Sequence, residues 1–235
     1  MTPREIVLAN INHEDPPRPG MNFSGDRLND FVGAGLGPSP SYEGKRWTEG
    51  EFEYYDDQWG NIWFRKIEGS RGGEIYEPAL KDWSQLDELR IPDFDDPARF
   101  EAARRKFAEH PDMFRCAHVP GWVFATSRYL RKMEIYFMDL IEYREEIDRL
   151  HEIVTDLFVR VIRQFGEAGA DAVFYCEDLG VQDRVLIGPE MWRDIFKPHY
   201  ERLTGAAHEY GMKVIMHSCG YNWELVDDLV AAGID

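Results

Sequence analysis

Twice in this chain a helical stretch runs into Ala-Gly-x-Asp. Ala168-Gly-Ala-Asp171 launches the apolar run Ala172-Val-Phe-Tyr-Cys176, and Ala232-Gly-Ile-Asp235 repeats the pattern where the sequence stops. A glycine just past a helix end supplies the left-handed backbone that terminates it. A short apolar run straight afterwards reads as a buried strand. Helix, glycine stop, strand and helix again describe parallel strands joined by helical crossovers, which few folds accommodate.

The same beat extends to both sides. Met113–Val119 reads as a strand closed by Pro120-Gly121, and Trp122–Ile141 as mostly helical. Ile147, Leu150, Ile153, Val154, Leu157, Phe158, Val161, Ile162 and Phe165 recur at three- and four-residue spacing, which marks an amphipathic helix. Gly188-Pro-Glu190 opens a helix to about Tyr210, in which Pro198 predicts a kink. The strand Met212–Gly220 and a helix from Trp223 to Ala232 follow. A (β/α)8 TIM barrel is the expected fold, with an open doubly wound sheet as the alternative. Such a barrel takes about 250 residues, whereas only some four or five strands can be counted in these 235 residues. The expectation is therefore one domain, residues 1–235, truncated at the C-terminus, with later strands beyond Asp235.

Upstream, Pro3–Ile11 reads as a short helix, and His13–Gly20, with three prolines, as extended chain. Asp30–Leu36 is a candidate first strand. Phe52–Gly60 and Ile62–Ile67 read as a hairpin, and Asp93–Phe100 as a linker into a helix ending near Ala108. Gly33, Gly35 and Gly37 are not followed by a helix, which argues against a dinucleotide site.

The formal charge of −17 argues against nucleic-acid and membrane-surface partners. Three cysteines make no disulfide framework. No run approaches the ~20 apolar residues of a membrane span, and the N-terminus lacks a signal-peptide core. A soluble, cytoplasmic protein is expected.

The sharpest chemical signal is His217-Ser-Cys219-Gly220. If the strand continues to Gly220, alternation puts Ile215, His217 and Cys219 on one face at its carboxyl end, where parallel α/β folds place their chemistry. The pair could supply two ligands of a catalytic zinc, or be a core cysteine beside a hydrogen-bonded histidine. Glu177 and Asp178 leave the neighbouring strand at the same end, as general acid/base, substrate clamp or oxygen ligand, or as a loop-ordering pair. Asp57, beside Asp56, is a third candidate catalytic carboxylate, although a turn-forming role is favoured there. Tyr129 and Gln182 are candidate cofactor contacts, with burial in the core as the other reading for Tyr129. The basic cluster Arg128, Arg131, Lys132 reads as a solvated helix face rather than a carboxylate clamp.

Several blocks together resemble the uroporphyrinogen decarboxylase superfamily, which includes porphyrinogen decarboxylases and zinc-dependent corrinoid methyltransferases. They are Arg4-Glu-Ile with His13-Glu-Asp-Pro-Pro-Arg-Pro19, Asp57-Gln-Trp-Gly60, Pro120 with its aromatic helix, and Gly169-Ala-Asp171 through Glu177-Asp-Leu-Gly180. Gly188-Pro-Glu-Met-Trp192 with Pro198, and His217-Ser-Cys-Gly220, complete the set. The resemblance implies a barrel with its cleft at the strands' carboxyl ends. In the methyltransferase branch the His-x-Cys pair binds zinc, which maps onto His217 and Cys219, and the third ligand is a cysteine beyond Asp235. The Arg-Gln-Ala-Gly-Arg-Tyr motif of the decarboxylases is absent. The resemblance thus implies methyl transfer from a corrinoid, carried on a partner protein, to a small-molecule thiol. The alternatives are decarboxylation of a tetrapyrrole, and a non-catalytic module that binds a corrinoid or tetrapyrrole.

Overall fold

The computed structural model describes residues 1–23, 27–69 and 72–235. Its strands in chain order are β1 (Phe31–Ala34), β2 (Arg46–Glu49), β3 (Phe52–Asp56), β4 (Ile62–Lys66), β5 (Glu74–Glu77), β6 (Phe114–His118), β7 (Ala172–Cys176) and β8 (Lys213–His217). The helices are α1 (Pro3–Ile11), α2 (Glu101–Glu109), α3 (Val123–Arg131), α4 (Met133–Glu142), α5 (Arg144–Glu167), α6 (Pro189–Ile195), α7 (Lys197–His208) and α8 (Val226–Ala231). They fall into two compact units. One comprises Met1–Pro38, Asp95–Trp122 and Thr155–Asp235; the other comprises Ser39–Phe94 and Val123–Val154.

The first unit is α/β. Its sheet has the order β1-β6-β7-β8 with every pair parallel. Helical crossovers make this the only easy arrangement, and the alternation read from the sequence is thus realised. Four parallel strands are present among the described residues, with β1 and β8 at the edges, rather than the eight of a closed barrel.

The registers put Phe31, Gly33, Phe114, Cys116, His118, Ala172, Phe174, Cys176, Ile215 and His217 on one face. Helix α1 closes the start of that face, where Val7 joins Phe114, Cys116 and Ala172, with Leu8 and Ile11 packed beside them. Thr2 and Glu5 begin α1 with a reciprocal capping box, and Pro3 occupies its first turn. The opposite face carries Val32, Ala117, Val173, Tyr175 and Val214, all buried. There the Tyr175 ring stacks on Trp122 at 3.7 Å between centroids.

The Ala-Gly-x-Asp echo has a structural cause. Gly169 and Gly233 adopt φ of 87° and 95° and end their helices. The aspartate that follows clamps the neighbouring strand at two points. Asp171 donates its N–H to the Arg115 carbonyl (2.7 Å) and accepts the Arg115 N–H on its carboxylate (3.0 Å). Asp235 does the same to Val214, at 3.0 and 2.8 Å. Asp30 repeats the device on Met21, at 2.7 Å both ways. Each carboxylate is neutralised: Asp30 by Arg18, Asp171 by Arg115 and Arg4, Asp235 by Lys213.

Two expected helices are divided. The segment 122–141 splits into α3 and α4 at Lys132, which takes φ 66°. The stretch after Gly188 splits into α6 and α7, because Pro198 sits in the first turn of α7 and does not kink a continuous helix.

The second unit holds an antiparallel sheet, β2-β3-β4-β5. The β3–β4 hairpin is as expected, while β2 and β5 extend it on either side. The solvated-face reading of the basic cluster fails for its arginines. Arg128 and Arg131 are 8% and 5% exposed, because eight of the nine α3 residues are buried. Arg131 pairs with buried Asp139 at 2.8 Å and donates to the Leu80 carbonyl.

Candidate metal centre

Strand β8 ends at His217, earlier than the sequence suggests, so strand alternation does not bring Cys219 beside it. A turn does. Beyond His217 the chain crosses the loop that leaves β7, and four hydrogen bonds join the two segments. The Glu177 N–H donates to the His217 carbonyl (2.9 Å), and the Leu179 N–H to the Ser218 hydroxyl (3.0 Å). The Cys219 N–H donates to the Asp178 carboxylate (2.8 Å), and the Tyr221 N–H to the Val181 carbonyl (2.7 Å). The crossing is so close that only glycine fits at its centre. A Cβ on Gly220, where φ is 82°, would lie 2.2 Å from the Gly180 carbonyl oxygen.

Three ligand-type atoms meet there. His217 Nε2 is 3.3 Å from Cys219 Sγ and 3.9 Å from Asp178 Oδ1, and all three lie within 4.8 Å of one another. In a tetrahedral zinc site, bond lengths near 2.0–2.3 Å place N and S about 3.6 Å apart, and N and O about 3.4 Å. Adjustments of a few tenths of an ångström to about an ångström would bring these side chains into such a set, and the donor types fit. Cys176, opposite His217 in the β7–β8 ladder, lies beside the cluster. Hydrogen bonding to Asp178 and its negative charge push the Cys219 thiol up. Burial, with Asp178 beside it, does the same to Cys176.

One pleat back along the same face lies a cavity of about 490 Å³, lined by Asn22, Asn29, Phe31, Gly33, Cys116, His118, Phe174 and Ile215. His118 ends β6 and meets the Phe174 ring edge-on. Gly33 makes room for it, since a Cβ there would fall 2.7 Å from its Nε2. Burial and Lys106 hold the His118 imidazole below its ordinary pKa, favouring the neutral ring. Sequence reading passed over His118, although a histidine directly before Val119-Pro-Gly121 at a strand end was the available signal.

The other sequence candidates are distributed differently. Glu177 is fully buried, one residue from Asp178, and its charge acts on Tyr175. Gln182 is exposed just past the crossing loop. Asp57 and Tyr129 belong to the second unit. The Asp57 carboxylate accepts five hydrogen bonds, from the N–H groups of Trp59, Gly60 and Asn61 and from the side chains of Asn61 and Trp63. These five hydrogen bonds order the β3–β4 turn, the turn-forming role that the sequence favours there. Tyr129 packs edge-on against Trp63 at 4.7 Å.

With this geometry in view, the comparisons with known proteins are informative. The model of the uroporphyrinogen decarboxylase (URO-D) family matches residues 66–235. The chain belongs to this family. The URO-D match takes in β6, β7, β8 and the whole candidate metal centre. Among solved structures, a methyltransferase from Methanosarcina mazei superposes with a TM-score of 0.58 at 16% identity, covering 70% of this chain. The chain spans about half of that structure's length (48%), and the likeness is one of fold. A search of curated proteins returned no match. Among the described residues no helix is long and apolar enough to cross a membrane.

Proposed function

We propose that this URO-D family chain carries the metal centre of a zinc-dependent methyltransferase, which moves a methyl group from a corrinoid to a thiol. One observation carries the reading: the convergence of His217 Nε2, Cys219 Sγ and the Asp178 carboxylate within 4.8 Å at the strands' carboxyl ends. The likeness in fold to the Methanosarcina mazei methyltransferase supports it, as does the position of the neighbouring cavity.

His217 and Cys219 would hold the ion, with Asp178 as an oxygen ligand or as the group that fixes the Cys219 turn. Bound zinc would supply Lewis acidity, holding an acceptor thiol as its thiolate at neutral pH. The chain's own residues then have separable tasks. Asp178 holds the Cys219 backbone through its 2.8 Å hydrogen bond, orienting the sulfur toward the imidazole. Phe31, Phe174 and Ile215 would present an apolar wall to the acceptor's carbon chain. His118, neutral and at the mouth of β6, can accept the proton that the thiol gives up.

The family's namesake chemistry, decarboxylation of a porphyrinogen, is the second reading, and the family match favours it. The two are separated by metal analysis of the purified chain and by cobalt(II) substitution. Methyl transfer expects about one zinc per chain, a sulfur-to-cobalt charge-transfer band, and loss of both in Cys219→Ser. A chain that binds neither metal, or binds it equally well without Cys219, would refute the methyltransferase reading.

A further inference from the structure

Buried charges in proteins are normally paired, because an uncompensated one is costly to desolvate. Arg131 obeys this rule through Asp139. Arg128, one turn earlier on α3, does not. It is 8% exposed, its only hydrogen bond among the described residues is from Nη2 to the Tyr129 hydroxyl (3.2 Å), and its Nε is buried with no partner. No carboxylate among the described residues pairs with it. Its Cζ lies over the Phe124 and Tyr129 rings, 5.1 and 5.0 Å from their centroids, and Arg128 is among the residues lining a cavity of about 360 Å³.

That cavity has a second, independent feature. Its wall includes Lys132, Met133 and Glu134, which form the N-terminal end of the ten-residue helix α4. No side chain caps this end, so the first amides of α4 keep their hydrogen-bonding capacity and partial positive charge. Lys132, which sets the start of α4 with its φ of 66°, is half-buried and adds a full positive charge. Glu74 and Glu134 also line the cavity, and both are exposed. The positive groups thus lie inward and the negative groups outward.

We propose that this cavity binds the carboxylate of a small organic monoanion. Its oxygens take the free edge of Arg128 and the uncapped amides of α4. The planar guanidinium suits a carboxylate, and the volume is within the ordinary range for a small-molecule site, about 300–1,000 Å³. Glu74 and Glu134 balance the two cations, so a phosphate dianion would meet repulsion. The site lies wholly within the second unit and needs neither the metal nor the cavity of the first.

The test uses the whole chain, metal-free, in low-chloride buffer. Benzoate is titrated against intrinsic tryptophan fluorescence and thermal stability, with inorganic phosphate as comparator. Saturable benzoate binding is expected, weakened roughly tenfold or more by Arg128→Met and several-fold by Lys132→Gly, with phosphate the weaker ligand. Glycine accepts the left-handed backbone at position 132, so that variant removes the charge without straining the fold. It keeps the proposal testable if Arg128→Met fails to fold. The proposal is overturned if wild type shows no saturable benzoate binding up to about 10 mM. Unchanged binding in either variant would also overturn it, as would phosphate binding as tightly as benzoate.

Discussion

Replacing Gly220 by alanine would place a Cβ 2.2 Å from the Gly180 carbonyl oxygen, 2.3 Å from its carbonyl carbon and 2.8 Å from the Val181 oxygen. All three are backbone atoms, so no side chain can swing aside. Relief to an ordinary contact of about 3.2 Å requires the two loops to part by roughly 1 Å. Holding alanine at φ 82° adds roughly 1–2 kcal/mol. For a chain of this size the backbone strain alone corresponds to a fall in Tm of roughly 2–8 °C, and the parting of the loops adds to it. The metal centre is far less tolerant, because ligand distances must hold to about 0.2 Å. Asp178 is on one loop and Cys219 on the other, so the same 1 Å should cost at least tenfold in metal affinity. Cobalt(II) titration followed by its charge-transfer band, with a thermal melt as control, reads both quantities. Wild-type cobalt affinity in a Gly220→Ala protein with the expected melting shift would refute the reasoning, since the loop crossing would then not set the ligand geometry.

Two further outcomes follow from buried charges. Burial raises the Asp171 carboxyl, but hydrogen bonds from Arg115 and Arg4 outweigh it and hold the group below the ordinary carboxylate range. A carboxyl depressed in the folded state contributes stability in full above its unfolded value of about 3.9, and loses it as pH falls through the folded value. Asp171→Asn should therefore cost about 3 kcal/mol at pH 7 and flatten the fall in stability below about pH 4; urea melts at pH 7 and in acid, with parallel slopes for both proteins, would contradict this. Arg131→Met should destabilise by roughly 3–5 kcal/mol by stranding Asp139, and adding Asp139→Leu should recover most of that; a denaturant double-mutant cycle showing simple additivity would mean that the pair is not coupled.

The parallel unit was readable because its signals are local. Ala172–Cys176 is apolar, preceded by a glycine stop, and emerges as β7 with the same bounds. The extra strands of the second sheet were not. Arg46–Glu49 is exposed throughout and shows no apolar alternation, and it is extended because β3 offers it a ladder. The break at Lys132 carries no proline or glycine to announce it. Arg128 and Arg131 looked solvated because composition records charge and not the neighbours that cover it. At the metal centre the residue types of His217 and Cys219 were legible, but the reason given for their proximity was wrong. The strand ends at His217, and the irregular segment that carries Cys219 is held by residues some forty positions earlier. The placing of Asp178 beside them depends on the Gly180–Gly220 crossing, which no periodicity encodes.

The aspartate clamps also have a direction. Asp30 holds Met21, Asp171 holds Arg115, and Asp235 holds Val214. Their neutralising partners Arg18, Arg4, Arg115 and Lys213 likewise precede them in the chain. Both partners of each clamp have thus been synthesised before the aspartate that closes it. A nascent chain leaving the ribosome can lock each of these joints as it emerges, without waiting for anything downstream.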